Sequence, residues 1–200
     1  MKRAFDIALS AAGLIASLPL WILFAAAVKM EDGGPVFFTQ ERVGLNGRIF
    51  RALKFRSMIP NAEAATGPVQ AAARDPRITR FGRFLRATAM DELPQLWNIF
   101  VGDMSFVGPR PLRPGEVDVM GDGQVVALKD IRGYADRHRV RPGLTGLAQV
   151  YAPRDLPRAG KFRLDRFYLK RAGFCLDLKL LLMSFWITGR GKWEERDSKV

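Results

Sequence analysis

Asp91 and Glu92 are adjacent carboxylates in a chain that is otherwise strongly basic. They open a segment, Asp91 to Phe100, that reads as a helix with Pro94 tolerated in its first turn. Such a pair can hold a magnesium ion, supply a nucleophile, or do both. It can also merely complement a helix dipole, the commoner role of acidic residues in a first helical turn. The surroundings favour chemistry. Lys54, Arg56 and Arg86 are of the type that binds phosphate, and Val107-Gly108-Pro109-Arg110-Pro111 sets Arg110 between two prolines that lower the ordering cost of its guanidinium. Arg141-Pro142-Gly143-Leu144-Thr145-Gly146 repeats the device, with glycines expected to let the backbone approach a ligand closely. Any one of these arginines alone would be a solvated surface residue; together with the acidic pair they point to phosphoryl chemistry.

Composition narrows the field. The chain has 200 residues, enough for one domain with a real core, and 32 basic against 20 acidic residues give it a net charge of +12. Of the basic residues 23 are Arg, whose planar fork suits phosphate, so polyanionic partners are expected: nucleic acid, anionic lipid or a phosphorylated small molecule. A single cysteine, Cys175, excludes an intrachain disulfide and any cysteine-based zinc cluster; a single histidine, His138, excludes multi-histidine metal sites. Cys175 reads as a filler of apolar space and His138, between Arg137 and Arg139, as a surface residue.

The elements that must position these groups begin with an apolar segment. No charged side chain occurs from Ile7 to Val28, close to the ~20 residues a helix needs to cross a bilayer core. It exceeds the ~7–15 apolar residues of a signal peptide. Lys2 and Arg3 precede it, and the remainder, with 29 basic and 19 acidic residues, follows it; both flanks therefore favour the cytoplasmic side and anionic headgroups. Pro19 removes a backbone hydrogen bond and crowds the carbonyl of Ile15, while Ser17 is near enough to repair part of the loss. A proline-kinked spanning helix and a bent helix that leaves by the leaflet it entered both remain open. Asp6 should stay at the interface because a carboxylate at depth is costly.

Farther along, Val36 to Gln40 and Arg48 to Arg56 read as strands of a hairpin around Asn46-Gly47. Arginines at 74, 77, 80, 83 and 86 would form a drifting stripe on a helix. Residues 101–123, rich in Gly and Pro, are expected to be loop, and residues 137–171 carry ten basic residues against Asp155 and Asp165. A second apolar stretch, Phe174 to Thr188, is short for a span and reads as an interfacial or core helix, with Trp186 at headgroup depth if it faces a membrane.

Five ordered motifs carry a resemblance: Lys54-Phe55-Arg56-Ser57-Met58, Asp75-Pro76-Arg77-Ile78-Thr79-Arg80-Phe81-Gly82, Asp91-Glu92-Leu93-Pro94-Gln95-Leu96-Trp97-Asn98, Val101 to Pro111, and Arg141 to Gly146. Together the chain resembles the bacterial sugar transferases that act as monotopic polyprenyl-phosphate phosphoglycosyl transferases, in their minimal form. The resemblance implies a mainly α fold with a small β-hairpin: residues 1–30 form a re-entrant helix-break-helix bent at Ser17 and Pro19, and residues 31–200 a catalytic domain with interfacial amphipathic helices. It implies transfer of a sugar-1-phosphate from a UDP-sugar to undecaprenyl phosphate, releasing UMP, on the cytoplasmic face of a bacterial inner membrane. Asp91 would be the nucleophile of a ping-pong cycle, Asp91 and Glu92 would hold Mg²⁺, and Lys54, Arg56, Arg86, Arg110 and Arg141 would bind substrate. Two departures stand out. Leu18 separates Ser17 from Pro19, and Ala89-Met90 replaces the Ser-Leu expected before the acidic pair, removing a hydroxyl that could act as a cap. A homodimer is left open and nucleic acid is not an expected partner. The rival reading is a non-enzymatic, membrane-anchored basic protein that binds nucleic acid or anionic lipid, for which the net charge suffices.

Overall fold

The computed structural model describes residues 1–62, 64, 75–119, 124–153, 156–191 and 193. Its first element, α1 (Lys2–Asp32), is one helix of 31 residues, about 46 Å long at ~1.5 Å per residue, and is long and apolar enough to cross a membrane. Its sidedness is the reverse of a soluble helix. Asp6, Ser10, Ser17, Phe24 and Val28 face the protein, while Ile7, Ile15, Leu18, Ile22 and Leu23 face outward. Gly33, at φ 72, ends the helix with its N–H on the Lys29 carbonyl.

Pro19 lies inside an element that is helical from Lys2 to Asp32. Two expectations for this segment change. Ser17 Oγ donates to Leu14 O at 3.3 Å and accepts from Trp21 Nε1 at 3.0 Å, so it does not serve the carbonyl of Ile15. Asp6 is buried in protein rather than held at an interface: its Oδ1 accepts from Ser105 Oγ (3.1 Å) and from the Phe106 N–H (3.2 Å).

Both ends of α1 are tied to the same body. Lys2 Nζ pairs with Asp177 (2.7 Å) and donates to Tyr168 Oη and Val107 O, while Arg3 donates to the carbonyls of Ile99 and Phe100. The cations expected to face lipid headgroups therefore clasp the helix to protein. At the other end Arg56 grips Asp32, and the Glu31 carboxylate accepts from the N–H groups of Arg80 and Phe81. Trp21 and Phe24 pack edge-on against Phe55 midway between.

The hairpin forms as expected. β1 (Phe37–Val43) pairs antiparallel with β2 (Ile49–Phe55), and the turn uses left-handed Asn46 (φ 54) and Gly47 (φ 80). The arginine stripe is shorter than expected. α2 (Arg80–Ala87) starts only at its Thr79 cap, leaving Arg77 bonded to Asp75; Arg74 lies outside the described residues. A one-turn 3₁₀ segment, Met90–Glu92, then leads through Pro94 into α3 (Gln95–Val101).

Residues 101–123 are not all loop. β3 (Ser105–Val107) pairs in parallel with β6 (Gly143–Thr145), and β4 (Val117–Val119) pairs antiparallel with β5 (Val125–Ala127). The two proline-flanked arginine motifs are thus neighbours across a strand pair. Their glycines serve backbone rather than ligand: a Cβ on Gly143 would stand 2.1 Å from Gly108 N, and one on Gly146 2.1 Å from Gly108 O. The helices α4 (Tyr134–Arg137), α5 (Leu147–Tyr151), α6 (Arg158–Arg171) and α7 (Phe174–Gly189) complete a mainly α fold with small sheets. The largest buried cluster joins Ile99, Met104, Phe106, Val150, Tyr168 and Leu180. α7 repeats the inverted sidedness, with Asp177 and Ser184 inward and Phe174, Leu182, Phe185 and Trp186 outward.

His138 is buried rather than on the surface. Burial, and then the charge of Arg137, lowers its imidazole to about 4, so the fold favours the neutral ring. That contribution is complete above the unfolded value of ~6.5 and is lost as pH falls toward the folded one. The loss of melting temperature between pH 7.5 and 5 should therefore be smaller in detergent-solubilised His138→Asn than in wild type; equal losses would assign acid sensitivity to other groups. Gly143→Ala should destabilise by at least about 2–3 kcal/mol, because backbone must move to admit the methyl. An unchanged urea midpoint would mean that β3 and β6 can part at no cost.

Candidate active site

Lys54 is the sixth residue of β2, and the strand's free edge is held by one side chain. Asn98 on α3 accepts from the Leu53 N–H at 3.0 Å and donates to Arg51 O at 2.8 Å, standing in for a missing strand neighbour. This fixes Lys54 relative to the acidic turn one helix away. Its Nζ lies 2.5 Å from Glu92 Oε1 and 3.9 Å from Asp91 Oδ2. The turn is entered through Ala89 in the left-handed region (φ 55), a sparsely populated conformation for a residue with a Cβ, with no side-chain cap.

Arg110 reaches the same carboxylate oxygen, with Nη2 2.9 Å from Glu92 Oε1. Its main chain is held by Arg137, whose Nη2 donates to Arg110 O (2.7 Å), whose Nε donates to Asp165 (3.0 Å), and whose guanidinium lies over the Phe162 ring. The two carboxyls consequently diverge. Burial would raise both. For Glu92, the charges of Arg110 and Lys54 and their hydrogen bonds outweigh burial and push it well below the usual carboxylate range. For Asp91, burial dominates, Lys54 only partly offsets it, Glu92 adds repulsion, and the carboxyl is raised to about 6.

The expected site residues separate into two sets. Lys54, Arg86, Asp91, Glu92 and Arg110 converge on one cavity of about 1070 Å³. Arg56 borders it but is 6% exposed, and its guanidinium is engaged by Asp32, Pro35 O, Met58 O and Val28 O. Arg141 is not among the lining residues; its Nε donates to Gly102 O at 2.8 Å. Sequence reasoning missed Asn98 and Arg137. Asn98 lay within a quoted motif, and Arg137 within the basic stretch at 137–171, but nothing in spacing alone pairs it with Asp165. Among the described residues no group of three or more His, Cys, Asp or Glu could hold a metal. A two-carboxylate site completed by water and substrate phosphate is the usual form for Mg²⁺, and an undercompensated Asp91 beside Glu92 fits it.

The family model described as bacterial sugar transferase matches residues 1–191. The chain belongs to this family. Among curated proteins, this sugar transferase is 40% identical over 190 residues to an undecaprenyl-phosphate glucose phosphotransferase of Komagataeibacter xylinus, covering 92% of this chain and 35% of that protein. It is 38% identical to the exopolysaccharide production protein PSS of Rhizobium leguminosarum bv. phaseoli, over 90% of this chain and 91% of that one. It is 37% identical to an undecaprenyl-phosphate galactose phosphotransferase of Salmonella typhimurium, over 90% of this chain and 39% of that one. The chain thus spans little more than a third of the two phosphotransferases and nearly all of PSS.

The surroundings of Arg56 yield a test of its role in this sugar transferase. Arg56→Met should cost about 2 kcal/mol or more, from the acceptors it abandons, and lower the melting temperature in detergent. The donor KM of the folded fraction should stay within about threefold of wild type. A large rise in KM with stability intact would make Arg56 a substrate ligand instead.

Proposed function

We propose that this sugar transferase moves a sugar-1-phosphate from a UDP-sugar to undecaprenyl phosphate, releasing UMP, as a membrane step of glycoconjugate assembly. The observation that carries the reading is the split acidic pair: two adjacent buried carboxyls, one held ionised by Lys54 and Arg110, the other raised to about 6 and lining the shared cavity. The names of its relatives, which include glucose and galactose phosphotransferases, support the reaction and leave the sugar unassigned.

In this reading Asp91 Oδ attacks the sugar-bearing phosphorus of the donor. An aspartyl–phosphorus bond forms as the bond to the bridging oxygen breaks, and UMP departs with that electron pair. The acceptor phosphate then attacks the same phosphorus and frees Asp91, a ping-pong cycle. Lys54 and Arg110 orient Glu92 and mask phosphate charge at the attacked centre. Mg²⁺, held by Asp91 and Glu92, would supply further charge masking on the diphosphate.

The chain is read as monotopic, on the cytoplasmic face of a bacterial inner membrane. Both ends of α1 are bonded to one body, so a perpendicular crossing would carry either the Lys2–Asp177 clasp or the Arg56–Asp32 clasp through lipid. The outward apolar faces of α1 and α7 would meet the bilayer, and any bend at Ser17 and Pro19 would occur within α1. Against the binder reading, Arg137, Arg141 and Arg158 of the basic stretch are turned onto protein acceptors.

The test is UMP release from a panel of UDP-sugars, with undecaprenyl phosphate and Mg²⁺, by wild type and Asp91→Asn. Asp91→Asn should lose turnover by about three orders of magnitude or more while staying folded and membrane-bound. Acid-quenched wild type given donor alone should carry a phosphosugar on the Asp91 peptide. Undiminished turnover in Asp91→Asn would remove the covalent step.

A further inference from the structure

Among the described residues β3 has a strand on one edge only, β6. Successive N–H groups of a strand point to opposite sides. The Ser105 N–H goes to Pro142 O (2.9 Å), on the β6 side. The next one, of Phe106, goes the other way and meets Asp6 Oδ1 at 3.2 Å; the same oxygen accepts from Ser105 Oγ at 3.1 Å. One side chain of α1 therefore stands where a neighbouring strand would, as the Asn98 amide does for β2. Asp6 and Ser105 are both buried, so neither contact can be exchanged for water without cost. The two bonds need an acceptor oxygen at that point, not a charge.

β3 leads straight into the site. Arg110, whose Nη2 lies 2.9 Å from Glu92 Oε1, follows Val107 through Gly108 and Pro109. Little slack intervenes. Val107 O accepts from Lys2 Nζ (2.8 Å), the Gly108 N–H donates to Thr145 O (2.9 Å), and Pro109 O accepts from the Gly143 N–H (2.9 Å). Pro109 also fixes its own φ. A displacement of β3 is thus passed on to Arg110 rather than absorbed. The other cation on Glu92 is referred to the same helix, because Lys54 lies two residues before Arg56, which grips Asp32 at the far end of α1.

Resting on the reaction proposed above, we infer that Asp6 is a positioning residue for transfer: by fixing the open edge of β3 to the apolar helix, it sets where Arg110 stands against Glu92 and the donor phosphate. Its contribution is to the transition state. Arg110 masks charge that grows as the bridging P–O bond breaks, so displacing it lowers kcat more than it weakens donor binding.

The experiment measures UMP release from the UDP-sugar panel, per folded enzyme in detergent, for wild type, Asp6→Ala, Asp6→Asn, Ser105→Ala, Arg110→Met and the double variant Asp6→Ala/Arg110→Met. Asp6→Ala should lower kcat about 10–100-fold with donor KM within about threefold of wild type. Asp6→Asn, which keeps an acceptor oxygen, should recover all but about threefold of that loss. Ser105→Ala, which leaves the Phe106 contact in place, should lose about 3–10-fold in kcat. In the Arg110→Met background, Asp6→Ala should cost less than about threefold more, because the side chain it places is gone. Wild-type kcat in Asp6→Ala, an Asp6→Asn as slow as Asp6→Ala, or a full second loss on top of Arg110→Met each overturns the inference and leaves the reaction standing. If Asp6→Ala does not fold, Ser105→Ala carries the same cycle with Arg110→Met. Wild type that releases no UMP from any donor overturns the reaction and the role of Asp6 with it.

Discussion

One oxygen of Glu92, shared between Lys54 and Arg110, is the contact on which the rest of the site depends. It joins segments that are 38 and 18 residues away in sequence, and each partner is delivered by its own device. Lys54 is delivered by a strand whose open edge is completed by the Asn98 amide. Arg110 is delivered by a strand pair that closes only because Gly108, Gly143 and Gly146 carry no Cβ, and by Arg137 behind it. The local strain at Ala89 is the remaining contribution, turning the chain so that both carboxyls enter the same cavity.

Concentrating two cations on one carboxylate has a second effect: it leaves its neighbour undercompensated. Adjacent residues in the same buried turn would otherwise titrate alike. Here the imbalance separates them, and the carboxyl nearer to neutrality is the one with less direct countercharge, 3.9 Å from Lys54. A division of labour between acidic neighbours thus follows from geometry that neither residue determines by itself.

The hairpin and the second apolar helix were legible because each rests on local rules, Asn-Gly at a turn and an apolar run of helical length, while the mainly α character came with the resemblance. The acidic pair and its two main cations were legible as motifs. What escaped was every feature that depends on long-range pairing. Residues 105–107 and 143–145 each look like loop, since glycine and proline beside a short strand hide it, and only their mutual pairing makes them a sheet. The ties of Arg56 escaped for a related reason, because an arginine that binds phosphate and one that ties a helix to a hairpin have the same letter; only the folded chain brings Asp32 and three carbonyls to this one. His138 and Asp6 likewise depend on what folds over them, which periodicity does not record.

The reversed sidedness of α1 has a consequence for the order of folding. The partners of its polar face lie far along the chain: Ser105 and Phe106 for Asp6, Tyr168 and Asp177 for Lys2. Closing contacts of such long separation is slow compared with winding the helix itself. The helix can therefore form early by local rules, while its seat against the rest of the fold is settled late, once three distant segments have come together beneath its polar stripe.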